Sequence, residues 1–222
     1  MSETTSPART PAKTQLWVEF VLLFGGVPLL MLVFLGQYSL FLTVWILAAL
    51  SLGLLWLTPG WELDQLWKKF PRRDWWVLGV FSLATAVTCL TTAYLVVPER
   101  MFGMVIYRPE LWLAIMLLYP PVSAWPQELI YRSLFFERYG SLFPNATWAI
   151  GVNGAAFALG HLFFQNPITI LMTGAAGAVI AWAYLRNRSL WMAWAVHSVG
   201  GILVFTSGLG IFFYHGAIGA TP

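Results

Sequence analysis

Seven long apolar runs, separated by short polar or proline-bearing breaks, dominate the chain. They cover about residues 16–36, 38–57, 75–97, 111–137, 146–165, 168–185 and 189–206. A hydrocarbon core of roughly 30 Å takes about 20 apolar residues as a helix. Helices also satisfy their own backbone polar groups, which lipid cannot do. The pattern therefore predicts an all-α, polytopic transmembrane helix bundle. An eighth apolar stretch, Leu209–Ile218, is shorter and has Gly208, Gly210 and Gly216 in or beside it; it reads equally as a short span or an interfacial segment, giving seven to eight spans. Residues 1–15 are rich in Ser, Thr and Pro and read as a disordered tail, and 16–222 as one membrane domain without internal repeat. The first run lacks a convincing small-residue cleavage site and reads as an uncleaved span.

Composition agrees. Of the 222 residues, 59% are hydrophobic and 9% charged, with a mean hydropathy of +0.73. Soluble domains are about a quarter charged, so this chain could not cover its apolar surface in water. Disordered, collagen-like and disulfide-stapled classes are excluded, the last because Cys89 is the single cysteine. The net charge of +3 comes with basic residues scattered between apolar runs, which are topology signals and not a nucleic-acid footprint. Arg9, Lys13, Lys68, Lys69, Arg72, Arg73, Arg138, Arg186 and Arg188 fall on one set of alternate loops; the other set holds Arg100 and Arg108. The positive-inside rule then puts the N-terminus in the cytoplasm of a multi-pass protein of the cell's inner (plasma) membrane. Tryptophans such as Trp61, Trp67, Trp75, Trp112 and Trp191 cluster near predicted span ends, as interfacial anchors do.

Ionisable groups inside a span cost at least ~2.5–3.5 kcal/mol each on insertion scales, so each needs a reason. The candidates are Glu128 and Arg132 in the fourth run, His161 in the fifth and His197 in the seventh. Glu19, near the start of the first run, can reach the headgroups and is set aside. Pro120, Pro121 and Pro126 remove backbone donors, which predicts a helix broken or restarted just before Gln127. Glu128 and Arg132 are four apart, acid first, the favourable direction for a same-face ion pair. Such a pair is equally expected of a purely structural tie. Asn153, Phe157 and His161 repeat every four residues among Gly151, Gly154, Ala155, Ala156, Ala158 and Gly160, which permit close helix approach. Counting from the basic residues at the span ends, Glu128 and His197 both lie ~14–15 Å deep and His161 ~20 Å deep. One carboxylate and two imidazoles near one depth read as a site.

Those segments resemble the signature of the CPBP superfamily, also called the Abi or CAAX-protease family, of intramembrane endopeptidases. Its EExxxR motif is matched by Gln127-Glu128-Leu129-Ile130-Tyr131-Arg132 except at the first acid, and its FxxxH motif by Phe157-Ala158-Leu159-Gly160-His161. Its HxxxN motif keeps the histidine in His197-Ser198-Val199-Gly200-Gly201 and lacks the asparagine. The resemblance covers about residues 111–214, with QExxxR and HxxxG variants that are similar to a bacterial subgroup. It implies peptide-bond hydrolysis in the membrane by a glutamate-activated water, with Glu128 as the remaining acid. The missing Asn would be replaced by another donor, for which Gln127, Asn153 and His197 are candidates. On this reading Glu128 deprotonates water, His161 holds that water or shares the proton, His197 donates to the developing oxyanion and Arg132 orients the base.

The implied partners are membrane lipid and a protein or peptide substrate with a membrane-embedded or lipidated tail; the sequence carries no sign of oligomeric state. No cofactor is expected. Zinc is conceivable because two His and one Glu form a known ligand set, yet the HExxH spacing is absent. Two other classes compete: a non-catalytic immunity or scaffold protein of the same fold, and a transporter with a midplane Glu/His proton relay, which would predict internal duplication.

Overall fold

The computed structural model describes residues 11–34 and 39–213. Residues 1–10, much of the predicted tail, lie outside it, as do His215 and most of the possible eighth span. The described chain is helical. The helices are α1 (Lys13–Phe34), α2 (Leu40–Trp56), α3 (Trp75–Val96), α4 (Gly103–Tyr107), α5 (Pro109–Arg138), α6 (Ala146–Leu159), α7 (Pro167–Asn187) and α8 (Leu190–Ser207). The apolar runs explain them, and side-chain caps set their starts. Ser39 accepts from the Leu42 amide, Asn145 from Trp148, Asn166 from Ile168 and Thr169, and Ser189 from Met192.

The protein is an all-α integral membrane helix bundle, though the described spans do not number exactly the seven to eight expected. Among the described residues five helices are long and apolar enough to cross a membrane, or six if the pair Pro98–Tyr107 and Pro109–Arg138, bent by 84°, makes one span. α2 has 17 residues, ~25 Å of helix, at the short limit for a span. Its run is cut back to the Ser39 cap at one end and stops before Pro59-Gly60 at the other. Of the possible eighth span, the described part is a single 3-10 turn, Leu209–Phe212.

α8 is the central helix: half of its apolar window is buried, against 17% for α3 on the lipid-facing side. α6 and α7 pack backbone to backbone. A Cβ added to Gly154 would lie 2.8 Å from the Gly174 carbonyl oxygen and 3.1 Å from Ala178, and one added to Gly177 would lie 2.8 Å from the Phe157 Cβ. The small-residue stripe is thus a seam. α8 ends at Gly208, whose φ of +105° and contact with the Arg100 carbonyl leave no room for a side chain.

Ion pairs gather at one end of the bundle. Arg138 binds Glu19 at 2.7 and 3.0 Å, Arg186 binds Asp74 at 2.9 Å, and Arg188 binds Glu137 at 3.0 Å. Glu19 is therefore not a headgroup contact: it is half-buried and ties α1 to the end of α5, with the Tyr139 hydroxyl donating to it at 3.2 Å.

Candidate active site

α5 carries three prolines in its middle, yet it does not break before Gln127. It runs through two π-turns, Tyr119–Ala124 and Leu129–Leu134, that flank one α-turn, Trp125–Glu128. Indoles from other helices support it, one of them where proline supplies no N–H. Pro126 cannot donate to the Val122 carbonyl four residues back, and Trp45 of α2 does so at 3.0 Å. The Pro120 carbonyl receives the Trp125 amide and, at 2.7 Å, the Trp194 indole of α8. The break or restart expected before Gln127 is therefore not found. What holds the Glu128 carboxylate instead is a set of side chains.

Glu128 is fully buried. Its Oε1 lies 2.7 Å from His197 Nδ1 on α8, and its Oε2 lies 3.1 Å from Arg132 Nε, the same-face pair the spacing predicts. Arg132, also fully buried, donates through Nη1 to Asn153 Oδ1 on α6 and to the Tyr131 carbonyl, and its guanidinium lies 5.1 Å from the centre of the Phe157 ring. The Asn153 amide donates to the Tyr131 carbonyl at 2.6 Å. Three helices are thus joined through one carboxylate and one guanidinium, with Asn153 engaged at both ends of its amide.

His161 lies apart from this contact. It lies two residues past the end of α6, after Gly160, and immediately precedes the 3-10 turn Leu162–Phe164. Its Nδ1 is 2.8 Å from the Phe157 carbonyl, which can only accept, so the proton is on Nδ1 and Nε2 is left as an acceptor. The Phe157 ring bridges the two imidazoles, 4.6 Å from His161 and 5.4 Å from His197 between ring centres. Gln127 turns back along its own helix and donates to Ser123 Oγ at 3.0 Å. Among the described residues no three His, Cys, Asp or Glu side chains gather as a metal would need.

One residue was not singled out from the sequence. The ring of Tyr119 packs edge-on against His197, with 5.9 Å between centres, directly over Gly201. The signal was indirect: a glycine where a larger residue would be expected leaves space that something else must fill.

All three motif segments fall within residues 109–203, which match the family model described as type II CAAX prenyl endopeptidase Rce1-like. Over that segment the chain is similar to the CAAX protease superfamily. No curated protein and no solved structure matches it. The superfamily segment takes in Tyr119, Glu128, Arg132, Asn153, Phe157, His161 and His197, while α1, α2 and α3, which brace it, lie outside. The matching family is one of proteases, hydrolases that act on protein or peptide substrates.

Proposed function

We propose that this protein is an intramembrane endopeptidase in which the Glu128–His197 couple activates the attacking water. The observation that carries this reading is the 2.7 Å contact between Glu128 Oε1 and His197 Nδ1 inside the superfamily segment. A buried carboxylate on Nδ1 fixes the tautomer, so that Nε2 becomes the acceptor turned to the reaction, and it stabilises the imidazolium that forms. Both Glu128 oxygens face protein cations or donors, which makes His197 the group that receives the water proton and Glu128 the charge behind it. This refines the direct role the sequence assigns to Glu128. His161 Nε2 accepts from the same water and holds it. Water oxygen bonds to the scissile carbonyl carbon, and the proton on His197 passes to the departing amine nitrogen.

The substrate is a protein or peptide with a membrane-embedded or lipidated tail, cut at an extended end and not within a continuous helix. The end of the bundle that carries Arg138, Arg186 and Arg188 faces the cytoplasm, and the membrane is the cell's inner (plasma) membrane. No metal takes part in this scheme.

One observation favours a non-catalytic scaffold: Glu128 and Arg132 are wholly buried, as in a structural tie. The two readings part on one experiment. C-terminal peptides from host membranes carrying wild type or Glu128→Gln, at matched abundance, are compared by mass spectrometry. The endopeptidase reading expects truncated tails that disappear in the variant while the full-length tails return. Identical profiles from two folded proteins overturn it in favour of the scaffold.

A further inference from the structure

Hydrolysis by the Glu128–His197 couple requires a donor for the oxygen of the scissile carbonyl, because negative charge develops there as water adds. The three donors suggested by the sequence are directed elsewhere. Gln127 Nε2 is on Ser123, Asn153 is held between Arg132 and the Tyr131 carbonyl, and His197 Nδ1 is on Glu128. A fourth donor stands beside them. The Tyr119 ring lies between His197 and Phe205, at 5.9 and 5.8 Å between centres. Its hydroxyl oxygen rests over the Gly201 backbone, one turn beyond His197 on α8.

Tyr119 and Gly201 are a matched pair. A single methyl at position 201 would overlap Cε1, Cζ and the hydroxyl oxygen of Tyr119. The absence of a side chain at 201 is thus what lets the tyrosine enter. Its backbone is held in the π-turn that begins at Tyr119, and the Trp194 indole bonds the carbonyl of the next residue. Among the described residues no group hydrogen-bonds the Tyr119 hydroxyl. A tyrosine whose ring packs on His197 and whose hydroxyl, over Gly201, has its donor unspent is what an arriving carbonyl oxygen would meet.

We infer that Tyr119 is the oxyanion donor of this enzyme, occupying the space that Gly201 leaves open; the inference rests on the endopeptidase reading above. As water oxygen bonds to the carbonyl carbon, the C=O π pair moves onto oxygen and the Tyr119 O–H hydrogen bond strengthens, its proton staying on the phenol. The pair then returns, the C–N bond breaks, and nitrogen leaves with the proton carried by His197. The new carboxylic acid loses its remaining proton to water.

The test uses full-length protein in liposomes and the tail peptide that Glu128→Gln leaves uncut in host membranes. Tyr119→Phe keeps the ring and removes the donor. The expected result is a fall in kcat of about 10²–10³-fold, with KM nearly unchanged. The double variant Tyr119→Ala with Gly201→Asn places a carboxamide in the same space and is expected to recover much of the rate that Tyr119→Ala alone loses. If Glu128→Gln abolishes cleavage while Tyr119→Phe cuts at the wild-type rate, the donor role is overturned and the endopeptidase reading stands. A rise in KM with kcat intact also overturns the role, since it marks Tyr119 as a packing or binding group. If no tail distinguishes Glu128→Gln from wild type, the endopeptidase reading fails, and the role of Tyr119 falls with it.

Discussion

Glu128 on α5 and His197 on α8 are 69 residues apart in sequence and share a 2.7 Å contact. If the two act as one unit, their losses do not add. Glu128→Gln and His197→Gln are each expected to lower kcat by about 10³-fold or more, and the double variant to be no slower than the worse single. The measurement is the tail-cleavage rate of all four proteins. Multiplying losses would mean that the two residues serve separate steps.

Arg132 does not tolerate the nominally conservative change to lysine. Its guanidinium meets Glu128 through Nε and Asn153 through Nη1 while lying over the Phe157 ring. An ammonium is a point donor and cannot meet both partners and the ring at once. Arg132→Lys is expected to cost about 2–4 kcal/mol of stability, the range for a buried pair that loses its geometry. Unfolding in detergent, read by tryptophan fluorescence, checks this. A variant with wild-type stability would show that the α5–α6 link through Asn153 contributes little.

Much of this architecture was legible because a bilayer allows few solutions. The apolar runs became helices, and the Glu128–Arg132 spacing placed both on one face. Equal depth put Glu128 and His197 within reach, but depth does not say which atoms meet. The continuity of α5 could not be read locally, since the prolines at 120 and 126 argue for a break and the compensating indoles, Trp45 and Trp194, come from other helices. Tyr119 was hidden for the same reason: its position depends on a missing side chain at Gly201 on α8. Glu19 was misread because a position near a span end suits a headgroup contact as well as an ion pair, and nothing near it in sequence announces Arg138. The number of spans was less legible, since capping and chain direction, not hydropathy alone, set the length of α2 and the bend before Pro109.

The Glu19–Arg138 pair is expected to matter for stability and not for rate. Arg138 is nearly buried and also donates to the Leu54 carbonyl and Thr58 hydroxyl at 3.1 Å, so it ties α1 and the end of α2 to the end of α5. Glu19→Gln removes the charge but keeps hydrogen-bonding capacity, at a cost of about 1–3 kcal/mol. Thermal unfolding in detergent should show the loss, with tail cleavage per folded molecule unchanged. A lower rate per folded molecule would link this end of the bundle to the chemistry.

Acid should silence the enzyme. In the proposed reaction His197 Nε2 must be free to accept a proton, so protonation of the couple removes the acceptor. Activity is present while Nε2 is unprotonated and is lost as pH falls, at about tenfold in kcat/KM per pH unit on the acid limb for one essential proton. Initial rates in liposomes across a pH series decide this, with return to neutral pH as the control for unfolding. A rate that keeps rising into acid would rule out a basic His197–Glu128 couple.

Gly177 gives the sharpest test of whether the seam between α6 and α7 serves the site. A Cβ there would lie 2.8 Å from the Phe157 Cβ and 3.1 Å from its Cδ1. The Phe157 ring in turn touches Tyr131, His161, His197 and the Arg132 guanidinium. Gly177→Ala is therefore expected to cost about 1–3 kcal/mol, as overpacking does, and to lower kcat by displacing the ring between the imidazoles. Adding Phe157→Leu keeps the Cβ but removes the ring part of the overlap, and should restore some of the stability but not the rate, because the ring that bridges the two histidines is gone. Melting temperature and cleavage rate, measured on the same preparations, separate the two effects. If stability and rate return together, the seam acts only through folding; if stability returns alone, the Phe157 ring itself positions the histidines.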